Sequence, residues 1–458
     1  MELIAWINDH CLGYILMAAL IATGLYFTIA LRCVQFMRPS EMIKAIVKGA
    51  DTKEKHTISP FQAFSISTAS RVGTGNIAGV ALAITTGGPG AIFWMWAIAL
   101  IGAASAFAES TLAQIYKVRS GKNFRGGPAY YIRTALHNKP LAFMFACSLI
   151  LTFPLMFNSV QANTIAQSLH TTFHINPLIS GLVLAAITAI IIFGGLKRIA
   201  TFSAIIVPVF ALGYIAVTVI VMLLNIDKLP SVLALIFQDA FSWQKIASGA
   251  MGATVMIGAR RGLFSNEAGM GSAPNAAATA HTSHPIKQGY VQAFSVFVDT
   301  LIICSCTAFI ILLADVATGG AEGIALTQRA LSKEIGSAGN YFISASVLLF
   351  AFTSIIGNYY YGQANVEFLS RKKSVMLSFR IAVSIMILLG AMMKLELAWN
   401  LADLCMTFMA LINIYAILKL RKVVVAAMAD YNRQKKAKKN PVFRPKDIPE
   451  ITETSAWE

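Results

Sequence analysis

About eleven apolar segments, each near the roughly 20 residues that carry a helix across a 30 Å hydrocarbon layer, follow one another from Leu12 to Leu420. They run approximately Leu12 to Leu31, Phe61 to Thr86, Ala91 to Tyr116, Leu141 to Leu169, Leu178 to Phe193 and Phe202 to Leu224. The later set is Ile246 to Thr279, Tyr290 to Leu313, Tyr341 to Leu369, Val375 to Met393 and Ala398 to Leu420. With 57% hydrophobic and 13% charged residues among 458, the chain has too little polar surface to cover a soluble globule. The expected class is an all-α polytopic membrane protein. The first segment has no small-residue cleavage site and no basic amino-terminal flank, so it reads as a retained helix.

A net charge of +16 does not point to nucleic acid, because the basic residues cluster in alternate connecting loops. Arg32, Arg38, Lys44, Lys48, Lys53 and Lys55 share one loop. Lys117 to Arg133, Lys197 with Arg198, and Arg371 to Lys373 form others, and Lys419 to Lys446 a basic tail. Positive loops lie in the cytoplasm. Eleven crossings then put the amino terminus, with Glu2 and Asp9, outside and the carboxyl terminus inside. Cys304 and Cys306, two apart on one helix, point away from each other and suit neither a disulfide nor a metal site.

Setting the first helix aside, interrupted segments open each half: Phe61 to Thr86 and Ile246 to Thr279. Five helices per half invert the second set relative to the first, which is the pattern of an inverted repeat and of alternating access. The expected divisions are an extra helix and basic loop (1–57), two five-helix repeats (58–224 and 225–420), and a basic tail (421–458).

The first interruption is Arg71-Val-Gly-Thr-Gly-Asn76. Glycines and polar side chains at mid-membrane depth weaken the helical ladder where lipid supplies no water for the freed groups. A half-helix ending near Val72 offers carbonyls to a cation, and one beginning near Asn76 offers amides to a carboxylate. An amino-acid zwitterion with Na+ fits both; close packing of small residues is the alternative. A second break is expected around Met256-Ile257-Gly258, before Arg260. Thr353 and Ser354 supply adjacent hydroxyls of the kind a hard cation prefers, or else bond to their own preceding carbonyls. Gln161 and Asn358 are candidate pocket walls, whereas Asn163 reads as an interhelical hydrogen bond.

Charges inside helices must face protein or water. Arg71, Arg260, Arg261, Glu267 and Glu109 all fall toward the cytoplasmic side in this topology, as a gate that opens on release or as a static packing network. Asp299 and Asp403 sit deeper, as structural partners or proton relays. An enzyme would need a nucleophile, metal site or nucleotide loop; no H-E-x-x-H, G-x-S-x-G or Walker loop is present, and all seven histidines fall in loops or near helix ends. A passive channel is a further alternative, and proton coupling the nearer rival within transport.

Three blocks, Val72-Gly-Thr-Gly-Asn-Ile-Ala-Gly-Val80, Gly87-Gly-Pro-Gly-Ala-Ile-Phe-Trp-Met-Trp96 and Arg261-Gly-Leu-Phe-Ser-Asn-Glu-Ala-Gly-Met-Gly-Ser-Ala-Pro274, resemble the alanine or glycine:cation symporter family. The resemblance extends from about Val34 to the basic tail. It implies a leucine-transporter-like fold with one extra amino-terminal helix, sodium-coupled uptake of a small neutral amino acid, and a prokaryotic plasma membrane. It places the substrate near Thr74, Gly75 and Asn76, with Gln161, Ile257, Gly258 and Asn358 lining the pocket. By similarity to the wider fold, sodium would take the carbonyls of Ala69, Val72 and Phe350 and the hydroxyls of Thr353 and Ser354. Some members carry a large aromatic at the positions of Ile257 and Asn358, which leaves alanine, glycine, serine, glutamine and their enantiomers open, with alanine leading. No cofactor, nucleic acid or protein partner is implied beyond the lipid bilayer, the amino acid and Na+.

Overall fold

Caps and helix breakers in the sequence set where the helices begin and end. The computed structural model describes residues 8, 13–47, 58–121, 123–193, 195–247, 250–316, 323–451 and 453–457. Glu2, Asp9, Lys48, Lys53 and Lys55, with His10 and His56, lie outside the described residues, as do the side chains of Lys197 and Arg198. After α1 (Gly13–Ala30) and α2 (Pro39–Val47), α3 (Pro60–Arg71) starts at a capping box. Ser59 Oγ accepts from the Gln62 amide, Gln62 Oε1 accepts from the Ser59 amide, and Pro60 takes the first helical position. Helix α3 stops at Val72; a single wide turn (Gly75–Gly79) then leads into α4 (Val80–Gly87).

Helix α5 (Gly90–Ile115) ends at an antiparallel hairpin of β1 (Val118–Ser120) and β2 (Asn123–Arg125). There follow α6 (Pro128–Ala135), α7 (Lys139–Phe173), α8 (Pro177–Ile192) and α9 (Gly195–Leu224). A wide turn at Thr152–Phe157 absorbs Pro154, whose ring removes one rung of the α7 ladder. The second part holds α10 (Leu229–Ala240), α11 (Ala250–Asn266), α12 (Pro274–Ala277), α13 (Pro285–Ala314) and α14 (Gly323–Ile335). It closes with α15 (Ser337–Leu369), α16 (Lys373–Met392), α17 (Leu395–Lys419) and α18 (Arg421–Lys436).

Among the described residues eight helices are long and apolar enough to cross a bilayer, and Gly75–Gly87 and Pro177–Ile192 are shorter apolar helices. Burial sorts them: 72% of the α13 span lies inside the protein but only 22% of the span Ile199–Leu224 in α9. Leu212, Ile190 and Ile381, more than half exposed on α9, α8 and α16, form an outer surface suited to hydrocarbon.

The second break is not where the sequence suggested. Helix α11 runs unbroken through Met256, Ile257 and Gly258 to Asn266. Two of its glycines serve packing: a Cβ on Gly258 would lie 2.5 Å from the Ala91 carbonyl oxygen, and one on Gly262 3.3 Å from Met95 Cα. Chain direction changes between Glu267 and Ala273 instead, where Glu267, Gly269 and Gly271 adopt left-handed φ of 56°, 82° and 85°.

Beyond α18 the basic tail folds back across the end of the bundle that carries the hairpin. Phe443 N donates to the Ser283 carbonyl at 2.9 Å, Trp457 Nε1 donates to the Gln114 carbonyl at 2.8 Å, and Ile448 and Ile451 are buried. Under Trp457 lies Lys117, past the end of α5, with its ammonium 4.5 Å from the Trp457 ring and 4.1 Å from Phe124. Lys117 donates to Gln114 Oε1 and the Ala280 carbonyl. Burial pushes its ammonium down to about 7, and the charge of Arg119 adds to the effect. An unfolded lysine titrates near 10.4, so from about pH 7 upward the folded chain binds fewer protons and this group adds stability as pH rises. Wild-type melting should therefore gain on Lys117→Met between pH 7 and 9, by up to about 1.4 kcal/mol per pH unit. A constant difference between the two across that range would remove Lys117 as the titrating group.

Candidate functional site

At the first break Val72 turns to an extended conformation (ψ 90°), which frees the carbonyls at the end of α3. Helix α15 passes alongside. Its Ser354 Oγ lies 2.8 Å from the Ala69 carbonyl oxygen, 3.2 Å from that of Val72 and 3.0 Å from that of Phe350; Thr353 Oγ1 lies 2.8 Å from the Phe350 carbonyl oxygen. The five oxygens named from the resemblance are thus gathered in one fully buried place. One hydroxyl proton cannot serve three carbonyls at once, so the cluster is acceptor-rich, the electrostatic condition that favours a hard cation.

The amides after the break face α7. Thr74 N donates to Gln161 Oε1 at 2.9 Å, and Gly73 N donates to Asn76 Oδ1 at 3.0 Å. Thr74 Oγ1 is buried with no hydrogen-bond partner among the described residues. Gly73 permits this proximity: a Cβ there would lie 2.2 Å from Ser354 Oγ and 2.8 Å from Gln161 Oε1. Above Gly75 sits Phe264, stacked on Phe157 with centroids 4.2 Å apart and tilted against Trp399 at 4.5 Å. The aromatic trio was invisible in the sequence because its members lie on three different helices.

Two of the named pocket residues are committed inside the protein. Asn76 Nδ2 donates to Asp299 Oδ1 at 2.7 Å, so both ends of its amide hold the break in shape. Asn358 Nδ2 donates to Asn158 Oδ1 at 2.9 Å, and its Oδ1 lies 2.5 Å from Ser70 Oγ. Asn163 bonds across to the Gly390 and Met393 carbonyls, the interhelical role expected of it. Ile257 and Gly258 are not at the break at all. Ile257 packs against Gly87 and Gly258 against Ala91 and Trp94. Gly87 is twelve residues beyond Gly75, about 18 Å along a helix. The break was expected next to them, and the real break comes nine residues later.

The same displacement divides the expected gate. Arg260 and Arg261 do not join Arg71 and Glu267. Because α11 stays helical past them, they remain toward the end where α1 starts. There Arg261 pairs with Asp403, Arg260 donates to the Asn8 carbonyl at 2.7 Å, and Arg261 lies 4.4 Å over Trp399. Arg71 and Glu267 lie beyond the first break from that layer. Glu267 Oε1 lies 2.9 Å from Ser70 Oγ, and its Oε2 accepts from Ser272 at 2.6 Å. Arg71 is 2% exposed, and its three side-chain nitrogens have no hydrogen-bond partner among the described residues; its charge acts on Glu109, Glu267 and Asp299 at longer range.

The second break is satisfied by a residue that the sequence offers as a gate or a packing group. Glu109 on α5 accepts from the amides of Gly269 at 3.3 Å and Gly271 at 2.9 Å, and from Asn413 Nδ2 at 2.7 Å. Two bridges then tie break to break. Ser70 reaches Glu267, and Asp299 joins Asn76 to Ser265, whose Oγ lies 2.5 Å from Asp299 Oδ2. Asp299 and Asp403 therefore both have partners.

This geometry has relatives. The chain matches the sodium:alanine symporter family over residues 1–445. It is 53% identical to the probable sodium/glutamine symporter GlnT of Bacillus subtilis (strain 168), over 95% of this chain and 91% of that one. It is 50% identical to the amino-acid carrier protein AlsT of the same organism, over 96% and 94%. The sodium/proton-dependent alanine carrier protein of Bacillus sp. (strain PS3) is 35% identical, over 88% and 94%. Among solved structures, MhsT in complex with L-phenylalanine superposes with a TM-score of 0.52 at 16% identity, covering 83% of this chain and 99% of that one. That likeness fixes a leucine-transporter-like fold, and the sequence matches fix the lineage: the chain belongs to the sodium:alanine symporter family, whose members are membrane transporters and not enzymes.

Proposed function

We propose that the chain couples Na+ entry to uptake of a small neutral amino acid, with alanine the leading substrate. The observation that carries this reading is the convergence of the Ala69, Val72 and Phe350 carbonyls with Thr353 and Ser354 beside a helix break. Na+ at these oxygens holds α3 to α15, and the Ser354 proton turns away so that its lone pair faces the ion. The substrate carboxylate takes the amides near Thr74 and Gly75, and Gln161 orients that backbone. The aromatic trio closes over the substrate side chain and favours a small one.

Because Ser70–Glu267 and Asn76–Asp299–Ser265 join the two broken helices, they move as one body against α7 and α15. Sodium at the seam favours the docked arrangement, and its loss favours the open one. With the basic loops cytoplasmic, the amino terminus is outside, and the Arg260, Arg261 and Asp403 layer faces the exterior while Arg71 and Glu267 face the cytoplasm. On this reading the chain crosses a prokaryotic plasma membrane about eleven times, both broken helices counted. One Na+ crossing roughly 100 mV with a tenfold gradient gains about 3.7 kcal/mol, enough for several-hundredfold accumulation of a neutral solute.

Radiolabelled L-alanine uptake into liposomes tests this, comparing an inward Na+ gradient with a matched K+ gradient at fixed pH. Concentrative uptake with sodium alone is expected; uptake that follows a pH gradient without sodium would make the coupling ion a proton. Glutamine is the second reading for the substrate, given the 53% identical relative named for it. Excess unlabelled glutamine that suppresses uptake more strongly than alanine would select it. Ser354→Ala removes one of the five oxygens and should raise the half-saturating sodium concentration about tenfold, about 1.4 kcal/mol. Unchanged sodium dependence in that variant would move the ion elsewhere.

A further inference from the structure

Two basic loops far apart in sequence meet at one place in the fold. The hairpin supplies Arg119 and Arg125, α6 supplies Arg133, and the turn after α15 supplies Arg371; together with Ser120 and Glu367 they line a cavity of about 510 Å³. Four guanidinium groups and one carboxylate line it. That carboxylate is already engaged, paired with Arg125 and accepting from Gln363 Nε2 at 2.9 Å. Two of the arginines are held in place before any ligand arrives. Arg133 lies 4.7 Å over the Phe368 ring and 5.9 Å over Tyr130, and Arg125 is held by Glu367. Arg133 and Arg371, added to the Arg125–Glu367 pair, offer planar donors that match the tetrahedral oxygens of a phosphate ester.

The depth of the cavity narrows the source. It lies where the apolar helices α5 and α15 end, at Ile115 and Leu369, which is the level of phospholipid headgroups. Exposed apolar residues continue from it along the bilayer side: Leu369 in its wall and Val375 and Leu377 at the start of α16.

We infer that this cavity is a binding site for a phosphate ester anion, with the headgroup of an anionic phospholipid as its natural source. The site is separate from the helix breaks, so its failure would leave the transport reading untouched. Occupancy joins the hairpin to the end of α15, the helix that carries Thr353 and Ser354, and therefore steadies the folded protein.

Titrating short-chain phosphatidylglycerol into the detergent-purified full chain, with the melting midpoint as readout, tests the assignment. Wild-type protein should be protected by phosphatidylglycerol and not by phosphatidylcholine. In Arg133→Gln/Arg371→Gln the half-saturating concentration should rise at least fivefold. Arg371→Gln alone alters only an exposed residue and should show a smaller rise in the same direction, which preserves the test if the double variant misfolds. Protection by inorganic phosphate that competes with the lipid supports the site and assigns a soluble source. Lipid protection that inorganic phosphate does not reproduce supports it and assigns the headgroup. Equal protection by phosphatidylcholine, or equal response of wild type and Arg371→Gln, overturns it.

Discussion

Gly73→Ala is expected to reduce sodium-driven uptake more than about 100-fold, a loss of about 2.7 kcal/mol or more. The added methyl would sit 2.2 Å from Ser354 Oγ and 2.8 Å from Gln161 Oε1. Neither atom can yield cheaply. Ser354 is held between three carbonyls, and Gln161 accepts the Thr74 amide. One carbon atom therefore displaces both the proposed cation oxygens and the Gln161–Thr74 contact that orients the backbone proposed to meet the substrate. Gly252→Ala is the control: nothing lies within 4 Å of its added Cβ, and uptake should stay within about twofold of wild type. The variant must be shown folded by size exclusion. If folded Gly73→Ala transports within a few-fold of wild type, the seam between α3 and α15 is not the working part.

Gly73 also shows what was legible in the sequence. Both breaks carry glycines two residues apart, Gly73 with Gly75 and Gly269 with Gly271, within otherwise apolar segments. The first pair was readable because polar residues interrupted an apolar run. The second was overlooked in favour of Met256 to Gly258, although Gly258 and Gly262 stand four apart on one helical face. That spacing brings helices close without bending them, as the contacts with Ala91 and Met95 show. Placing the break before Arg260 groups Arg260 and Arg261 with Arg71 and Glu267, from which their contacts with Asn8 and Asp403 set them apart. The oxygens around Ser354 lie together; the helix end at Val72 and the hydroxyl pair have local signatures, whereas the Ala69 and Phe350 carbonyls are named only through the family resemblance. The aromatic trio and the arginine cavity depend on how distant helices meet, which no local pattern carries. The folded tail was hidden by its lysines, since its anchors Phe443, Ile448, Ile451 and Trp457 are too sparse to form a periodic stripe.

A break of this kind is costly unless its backbone finds partners, and at the second break those partners come from one carboxylate. Glu109 accepts from Gly269 N, Gly271 N and Asn413 Nδ2 in a fully buried position. Removing it strands both amides and leaves Asn413 Nδ2 only the Gly269 carbonyl. Each orphaned buried donor costs about 1–3 kcal/mol, so the pair reaches the lower end of the net stability of about 5–15 kcal/mol typical of a folded protein. Glu109→Ala should therefore give mostly aggregated protein on size exclusion, with a melting midpoint well below wild type for whatever remains. Glu109→Gln keeps the volume and one acceptor but turns an NH2 toward donors, and should fall between the two. The ordering separates this account from a gate: a residue needed only for opening would leave melting unchanged while stopping transport. Glu109→Ala that melts with the wild type would mean that the Gly269–Gly271 turn holds its shape by other means, and the carboxylate would then belong to the moving machinery alone.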